Sequence, residues 1–296
     1  MSWLKTFSLI IVLSALLVVV GFALFGVAGA IVFFVIAAVM NFFSFWFSGN
    51  IALRMAGAKH VTEKEEPRLH YMVADVARLA NLPTPKVFLV QNDSPNAFAT
   101  GRNPKNAVVA VTTGIQRILS EDELRGVIAH EMAHIKNRDM LIMAIVAMIA
   151  GAISMMAFIA QWSLIFGGMR GGRGGQGNIV GLIGMLLLII LVPMVASIIR
   201  FAVSRTREYA ADDTGARILN NPLPLASALE KMDNAVRIKA MPATKSIEAM
   251  AHMYIVNPLG AQSQHKNEVD GKFVGMFSTH PPIQERIRRL QEMVLY

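Results

Sequence analysis

The sequence predicts an α-helical polytopic membrane protein that carries a cytoplasmic, mainly-α, α+β domain with a small antiparallel sheet. Residues 6–53 contain no Asp, Glu, Lys or Arg. Across the 296 residues, 54% are hydrophobic and only 16% are charged, which is more apolar than a soluble domain of this length. Two further apolar runs occupy 140–166 and 178–203. The remaining segments show the periodicities of amphipathic helices and short strands.

The first apolar run, 6–53, is about twice as long as the ~20 residues that one bilayer crossing requires. Gly26 and Gly29 lie near its middle, so we expect two helices joined by a tight turn. A cleaved signal peptide is the alternative for the first helix. Its n-region has a single lysine, Lys5, and a second apolar span follows directly, so the sequence favours a transmembrane hairpin over residues 1–48.

The second apolar region, 140–203, predicts another transmembrane hairpin. Its two spans are separated by the connector "GGMRGGRGGQGN" at 167–178. The glycines resemble those of a phosphate loop, but no strand precedes them and no Gly-Lys-Ser/Thr follows. The connector is therefore interpreted as a flexible tether.

The net charge of +8 is compatible with nucleic acid, but its distribution favours a lipid bilayer as the partner. Twelve basic residues lie within 48–139 and thirteen from position 200 onward. By the positive-inside rule, both termini and the large polar segments face the cytoplasm and the short turns face outward. The chain contains no cysteine, which excludes disulfides and thiolate metal ligands.

The polar segments predict one helix and three short strands before the central motif. The helix covers 62–81 because Leu69, Val73, Val76 and Leu79 share one stripe. The strands are bounded by proline, glycine and asparagine turns, and they cover 85–91, 96–101 and 106–114. Consecutive short strands joined by tight turns indicate a small antiparallel sheet.

Two more helices follow from local signals. Ser120 and Glu123 form a capping box that begins the central helix, which we expect to run on into the third apolar span. A C-terminal amphipathic helix is predicted over 281–295, with prolines at its start. Its inward face comprises Ile283, Ile287 and Leu290, and its solvated or headgroup-facing side comprises Arg286, Arg288 and Arg289.

The central helix carries the stretch "VIAHEMAHIKNRD" at 127–139. Positions i and i+4 of a helix point the same way, so His130 and His134 can bind one ion between their imidazoles. Glu131 stands beside them, within reach of a water on that ion. This His-Glu-x-x-His arrangement is that of zinc peptidases, in which the glutamate is the general base.

A zinc site of this kind requires a third protein ligand, and Glu208 in "SRTREYAADD" is the best candidate. Asp212 lies one turn further along the same helix face and is interpreted as a partner that fixes a histidine tautomer. The third and fourth apolar spans would hold these ligands together. The polar segments 49–139 and 204–296 are then two halves of one domain.

At these residues the sequence resembles the HtpX family of membrane-bound zinc endopeptidases, kin of the CAAX prenyl peptidases. The resemblance covers nearly the whole chain and includes "NAFATG", "HEMAH", "SRTREYAAD" and "FSTHPP". It implies a gluzincin-like protease domain with one Zn²⁺ per chain, held by His130, His134 and Glu208, with Glu131 as general base. It also implies the cytoplasmic membrane of a bacterium and a role in degrading misfolded or damaged membrane proteins under stress.

Two further positions gain interest from the resemblance. Asn96, Ala97 and Phe98 look like the family's edge strand, where a substrate would pair through main-chain hydrogen bonds; a plain hairpin strand is the alternative. His280 is a candidate donor to the oxyanion, or else a capping residue ahead of Pro281.

Two other functions compete with this interpretation. An intramembrane site-2 protease also uses His-Glu-x-x-His, but places it inside a transmembrane helix. Here Arg125, Lys136 and Asp139 flank the motif, which disfavours that class. A catalytically idle scaffold that binds client proteins is the second alternative, and the intact set of metal-site residues argues against it.

Overall fold

The computed structural model describes residues 2–140, 205–238, 253–257 and 281–293, with the single positions 241 and 244. The second apolar region with its glycine connector, and His280, lie outside the described residues. The elements in chain order are α1 (Ser2–Met55), β1 (Ala58–His60), α2 (Pro67–Leu79), β2 (Lys86–Val90), β3 (Ala97–Thr100), a 3₁₀ turn (Pro104–Asn106), β4 (Val108–Thr112), α3 (Thr113–Ile118), α4 (Glu121–Asn137), α5 (Arg205–Leu219), α6 (Leu223–Ile238) and α7 (Ile283–Gln291).

The N-terminal element α1 leaves helical geometry at Gly26, where φ is 64° and ψ is −150°. A positive φ is readily adopted by glycine, which agrees with the expectation of a break near the middle of the apolar run. Helical structure then continues to Met55. Among the helices of the described ranges, none meets the combination of length and apolarity that a membrane crossing requires.

The sheet has four strands in the order β1-β2-β4-β3. The expectation of an antiparallel sheet is wrong, because β2 and β4 pair in parallel, with Val87 opposite Val109. The outer pairs are antiparallel, with Lys59 opposite Leu89 and Phe98 opposite Ala110. Because β4 inserts between β2 and β3, the sequential neighbours β2 and β3 do not pair. β1 was not predicted from the sequence.

Helices cover one face of this sheet. Strand β3 contacts α4, and α4 in turn packs against α2, α5 and α6. A second buried cluster covers the other face, where Leu53 from the end of α1 meets Phe98 and Tyr254. Since β4 has helices on one side and this cluster on the other, all five of its residues are buried.

Helix α4 begins as predicted, because both hydrogen bonds of the capping box between Ser120 and Glu123 are present. The expectation that it continues into the next apolar run is wrong. It ends at Asn137, and Arg138 adopts a left-handed conformation with φ 60°. Left-handed residues commonly terminate helices, and this one redirects the chain so that Asp139 follows on a new path.

Helix α7 orients its apolar residues as expected, with Ile287 and Leu290 buried. The assignment of Arg286 to the solvated side is wrong, because that residue has no exposed surface. Arg288 is exposed and forms surface ion pairs with Glu285 and Glu292. Arg286 lies four residues before Leu290, on the same face, so helical geometry carries it into the interior.

Candidate metal centre

The two motif histidines lie one helical turn apart on α4 and are both buried. Their Nε2 atoms face each other at 3.1 Å, and the rings are perpendicular with centroids 4.7 Å apart. The i,i+4 spacing on one helix is sufficient to produce this convergence. His130 and His134 therefore present two imidazole nitrogens to a common point.

Glu208 on α5 supplies a carboxylate to the same point. Oε2 lies 3.8 Å from Nε2 of His130 and Oε1 lies 3.6 Å from Nε2 of His134. One candidate ligand atom from each of the three residues lies within 4.8 Å of the others. A tetrahedral ion with ligands at 2.0–2.1 Å places them roughly 3.3 Å apart, so the arrangement fits a metal of that size.

Each histidine has a carboxylate next to its Nδ1 atom, on the side of the ring away from the candidate metal position. Nδ1 of His130 lies 2.9 Å from Oδ1 of Asp212, and Nδ1 of His134 lies 3.3 Å from Oδ2 of Asp139. A carboxylate accepts, so each Nδ1 carries a proton, and in the neutral form of each imidazole Nε2 offers a lone pair. Three acceptors, including Glu208, then converge in a buried space, which is the donor set of a cation site.

Asp139 was missed in the sequence as a partner of this site. It lies five residues after His134, beyond the end of α4, where helical spacing gives no contact. The left-handed Arg138 turns the chain and makes the contact possible. In the sequence, Asp139 stands out only as an acidic residue immediately before a long uncharged run. That position does not indicate which residue it contacts.

Acidic side chains outnumber basic ones in the cluster, within the part of the chain that the structure describes. Its carboxylates are those of Glu131, Asp139, Glu208 and Asp212, and its guanidiniums are those of Arg207 and Arg286. Metal binding requires neutral imidazoles, and with both histidines neutral this excess of acidic groups suits a cation.

The pKa values of the cluster are shifted by burial and by the charges of neighbouring side chains. Burial raises the pKa of Glu131 to about 7; the charge of His134 opposes this rise, while that of Glu208 adds to it. Burial lowers the pKa of His130. Burial also disfavours protonation of His134, but its hydrogen bond to Asp139 and the charge of Glu208 outweigh this and raise its pKa to about 9. A bound cation would reverse this last effect, because it competes with the proton for Nε2.

Glu131 is buried beside the histidines and accepts a hydrogen bond from the backbone of Ala99. The general-base candidate is thus tied to strand β3. Residues 97–100 of that strand are all buried, and β3 is one of the two edge strands of the sheet within the described residues.

Asn96 has no exposed surface, and its side chain binds the chain's own backbone. Nδ2 donates to the carbonyl oxygen of Val256 at 2.8 Å, and Oδ1 accepts from the N–H groups of Val256 and Ala97 at 3.3 and 3.1 Å. Ala97 is buried beside the core and accepts from the N–H of Ile255 at 3.2 Å. The ring of Phe98 lies on the opposite face, against Tyr254.

Helices α4 and α5 approach unusually closely where they carry the ligands. A Cβ atom built on Gly215 would lie 2.9 Å from the backbone nitrogen of His130 and 3.1 Å from the carbonyl carbon of Ala129. Only glycine permits this distance without displacement of the backbone. The crossing brings α5, and with it Glu208 and Asp212, against the helix of the two histidines.

Comparison with known proteins identifies the group to which this fold and site belong. The sequence profile of Peptidase family M48 matches residues 63–294. The chain belongs to peptidase family M48. The "Protease HtpX homolog" of Persephonella marina is 53% identical over 99% of this chain and 98% of its own length. That of Thermodesulfovibrio yellowstonii is 52% identical over 99% of each chain.

A solved structure supports the fold. The crystal structure of S. mikatae Ste24p matches with a TM-score of 0.54 and 16% sequence identity, covering 94% of this chain and 62% of that one. The family assignment, the HtpX relatives and the His130–His134–Glu208 group identify a metalloprotease of the HtpX type.

Proposed function

We propose that this M48 protein is a membrane-bound, zinc-dependent endopeptidase that hydrolyses peptide bonds of misfolded or damaged membrane proteins. The observation that carries the proposal is the convergence of three buried acceptors, from His130, His134 and Glu208, beside the carboxylate of Glu131. An acceptor set of this kind is stable around a cation, and a carboxylate next to it can accept a proton from water.

The residues divide into holding and proton-transfer roles. His130, His134 and Glu208 would hold one zinc ion per chain, which when bound acts as a Lewis acid and lowers the pKa of water to about 7. Glu131 accepts the proton of the attacking water and passes it to the leaving amine as the C–N bond breaks. Its carboxylate is buried beside the three ligands, where it can accept this proton and donate it again.

We further propose that strand β3 receives the substrate in an extended conformation. Its position at the sheet edge favours the proposal, because a peptide beside Ala99 would lie next to the general base. The carbonyl oxygen of Ala97 is already bound by Ile255, so the proposed pairing is at Ala99. In this proposal Asn96, Ala97 and Phe98 hold the edge strand in place through their contacts with residues 254–256. His280 is the proposed donor to the oxyanion of the carbonyl under attack.

The bilayer is the proposed environment, with multi-pass topology and the protease domain facing the cytoplasm of a bacterium. The charge-free run at 6–53 and the basic residues of the polar segments support this topology. The names of the HtpX homologues support the quality-control role. Membrane proteins are the proposed substrates, and nucleic acid is not a proposed partner.

Two variants test whether Glu131 is the general base and Glu208 a metal ligand. Glu131→Gln keeps both imidazoles and Glu208, so we expect zinc near one ion per chain, with casein cleavage reduced about 10²–10⁴-fold. Glu208→Ala removes the charged ligand, and zinc and activity should be lost together. Metal content and casein hydrolysis are measured on the same preparations. A Glu208→Ala protein with normal zinc and rate would contradict the ligand assignment.

A further inference from the structure

The side chain of Arg286 is fully buried on α7, and its three guanidinium nitrogens all contact acceptors. Nε donates to Oδ2 of Asp212 at 2.9 Å, and Nη2 donates to Oδ1 at 2.7 Å. Nη1 donates to the carbonyl oxygen of Ile255 at 3.0 Å and lies 3.5 Å from Oε2 of Glu208. One side chain therefore joins α7 to two residues of α5 and to the segment 253–257.

The two carboxylates that Arg286 contacts are those that arrange the histidine cluster. Oδ1 of Asp212, which accepts from Arg286, also lies 2.9 Å from Nδ1 of His130. The Glu208 carboxylate lies 3.8 Å from His130 and 3.6 Å from His134. Arg286 thus acts on one candidate ligand directly and on another through Asp212.

The contact with Ile255 extends this connection to strand β3. The N–H of Ile255 donates to the carbonyl oxygen of Ala97, and Asn96 binds both main-chain groups of Val256. A continuous set of hydrogen bonds therefore runs from the sheet edge, through the buried residues 253–256, to Arg286 and the carboxylates of α5.

We propose that Arg286 is a positioning residue of the metal centre, which fixes Glu208 and Asp212 relative to the edge of β3. The inference rests on the proposed function, because it assumes that the cluster binds a catalytic metal. The planar guanidinium binds a carboxylate at two points while a third nitrogen points elsewhere. A lysine would supply the same charge without this geometry.

The test compares Arg286→Lys with Arg288→Lys in the detergent-solubilised full-length protein. Arg288 lies on the same helix but is exposed and pairs only at the surface. Zinc affinity is measured by chelator competition, and the ligand field by the visible spectrum of the Co²⁺-substituted protein. Thermal unfolding of the metal-free protein reports whether each variant folds.

We expect Arg286→Lys to lose about 10–100-fold in zinc affinity, as substitutions of residues that hydrogen-bond to metal ligands do. We also expect it to alter the Co²⁺ spectrum. Arg288→Lys should match the wild type in both. If Arg286→Lys binds zinc within about twofold of the wild type with an unchanged spectrum, charge alone suffices and the positioning role is overturned.

A second comparison applies if Arg286→Lys does not unfold cooperatively. Asp212→Asn with Arg286→Gln removes both buried charges, so neither is left uncompensated. If Arg286 acts through Glu208 and Ile255 as well, this double variant binds zinc about tenfold more weakly than Asp212→Asn alone. Equal affinities would overturn the proposal. Zinc binding by a wild type that does not cleave casein would contradict the proposed function alone.

Discussion

Gly215 is the position at which a single methyl group should disturb the metal centre without touching a ligand. Its added Cβ would lie 2.9 Å from the backbone nitrogen of His130. Non-bonded heavy atoms prefer about 3.5–4.0 Å, so Gly215→Ala must separate α4 and α5 by roughly 0.6 Å. Functional sites tolerate displacements of about 0.5 Å, so Glu208 and Asp212 would move out of their bonding positions.

The cost to stability is smaller than the cost to metal binding. Overpacking of this kind costs about 1–3 kcal/mol, whereas alanine in place of glycine inside a helix contributes about 1 kcal/mol in favour of folding. The net free energy of unfolding should therefore fall by about 0–2 kcal/mol. Zinc affinity should fall by about tenfold or more, because all three ligands depend on the relative position of the two helices.

Gly126→Ala is the matched control, since its Cβ would lie 2.8 Å from the backbone nitrogen of Leu225, on α6. It overpacks α4 against a helix without ligands. Zinc affinity and thermal unfolding are measured for both variants. We expect similar losses of stability but a loss of zinc affinity only for Gly215→Ala. If Gly215→Ala bound zinc as the wild type does, or both variants lost affinity equally, the α4–α5 crossing would not be what positions the site.

Three further predictions follow from the site and the sequence. The pKa of His134 is about 9 in the metal-free protein, above its ordinary value of about 6.5. The contribution of His134 to the stability of the metal-free protein is therefore present below pH 6.5 and lost as pH rises through 9. Zinc affinity should rise by up to tenfold per pH unit towards pH 9. Thermal unfolding and chelator competition across this pH range check the two predictions, and a profile that does not change with pH contradicts them. Asp212→Ala should lose about 10–100-fold in metal affinity or activity, measured with Asp213→Ala as the exposed control; equal values for both would refute the role of Asp212. Proteases added outside intact cells should cut, at most, within 167–178, and cleavage near Arg102 or Lys266 would contradict a cytoplasmic domain.

Local geometry explains why much of the site could be predicted from the sequence. The His130–His134 pair needs only the i,i+4 spacing of one helix, and the capping box of Ser120 is also contained within one turn. Glu208 was proposed from the zinc requirement for a third ligand, and the structure brings it to the two histidines. Each of these inferences depends on residues close in sequence or on the chemistry of one ion.

The sheet shows where local patterns stop being informative. Three strands were placed nearly correctly, yet their pairing was wrong because β4 inserts between β2 and β3. Alternation and turn residues determine where a strand runs, but all strands with two buried faces look alike. Which neighbour each strand chooses depends on how the helices and the end of α1 cover both faces.

The sequence by itself determined the spacing of the candidate ligands, the acidic residue beside them and the family. Only the tertiary structure decided the partners of Asp139 and Arg286, and the close crossing at Gly215. The physical reason is that periodicity records which face of an element is buried, whereas the partner of a buried charge comes from a distant part of the chain. The sequence predicts a solvated Arg286 because the residue is charged. Its burial is tolerated because Asp212 and Glu208, more than 70 positions earlier, compensate its charge.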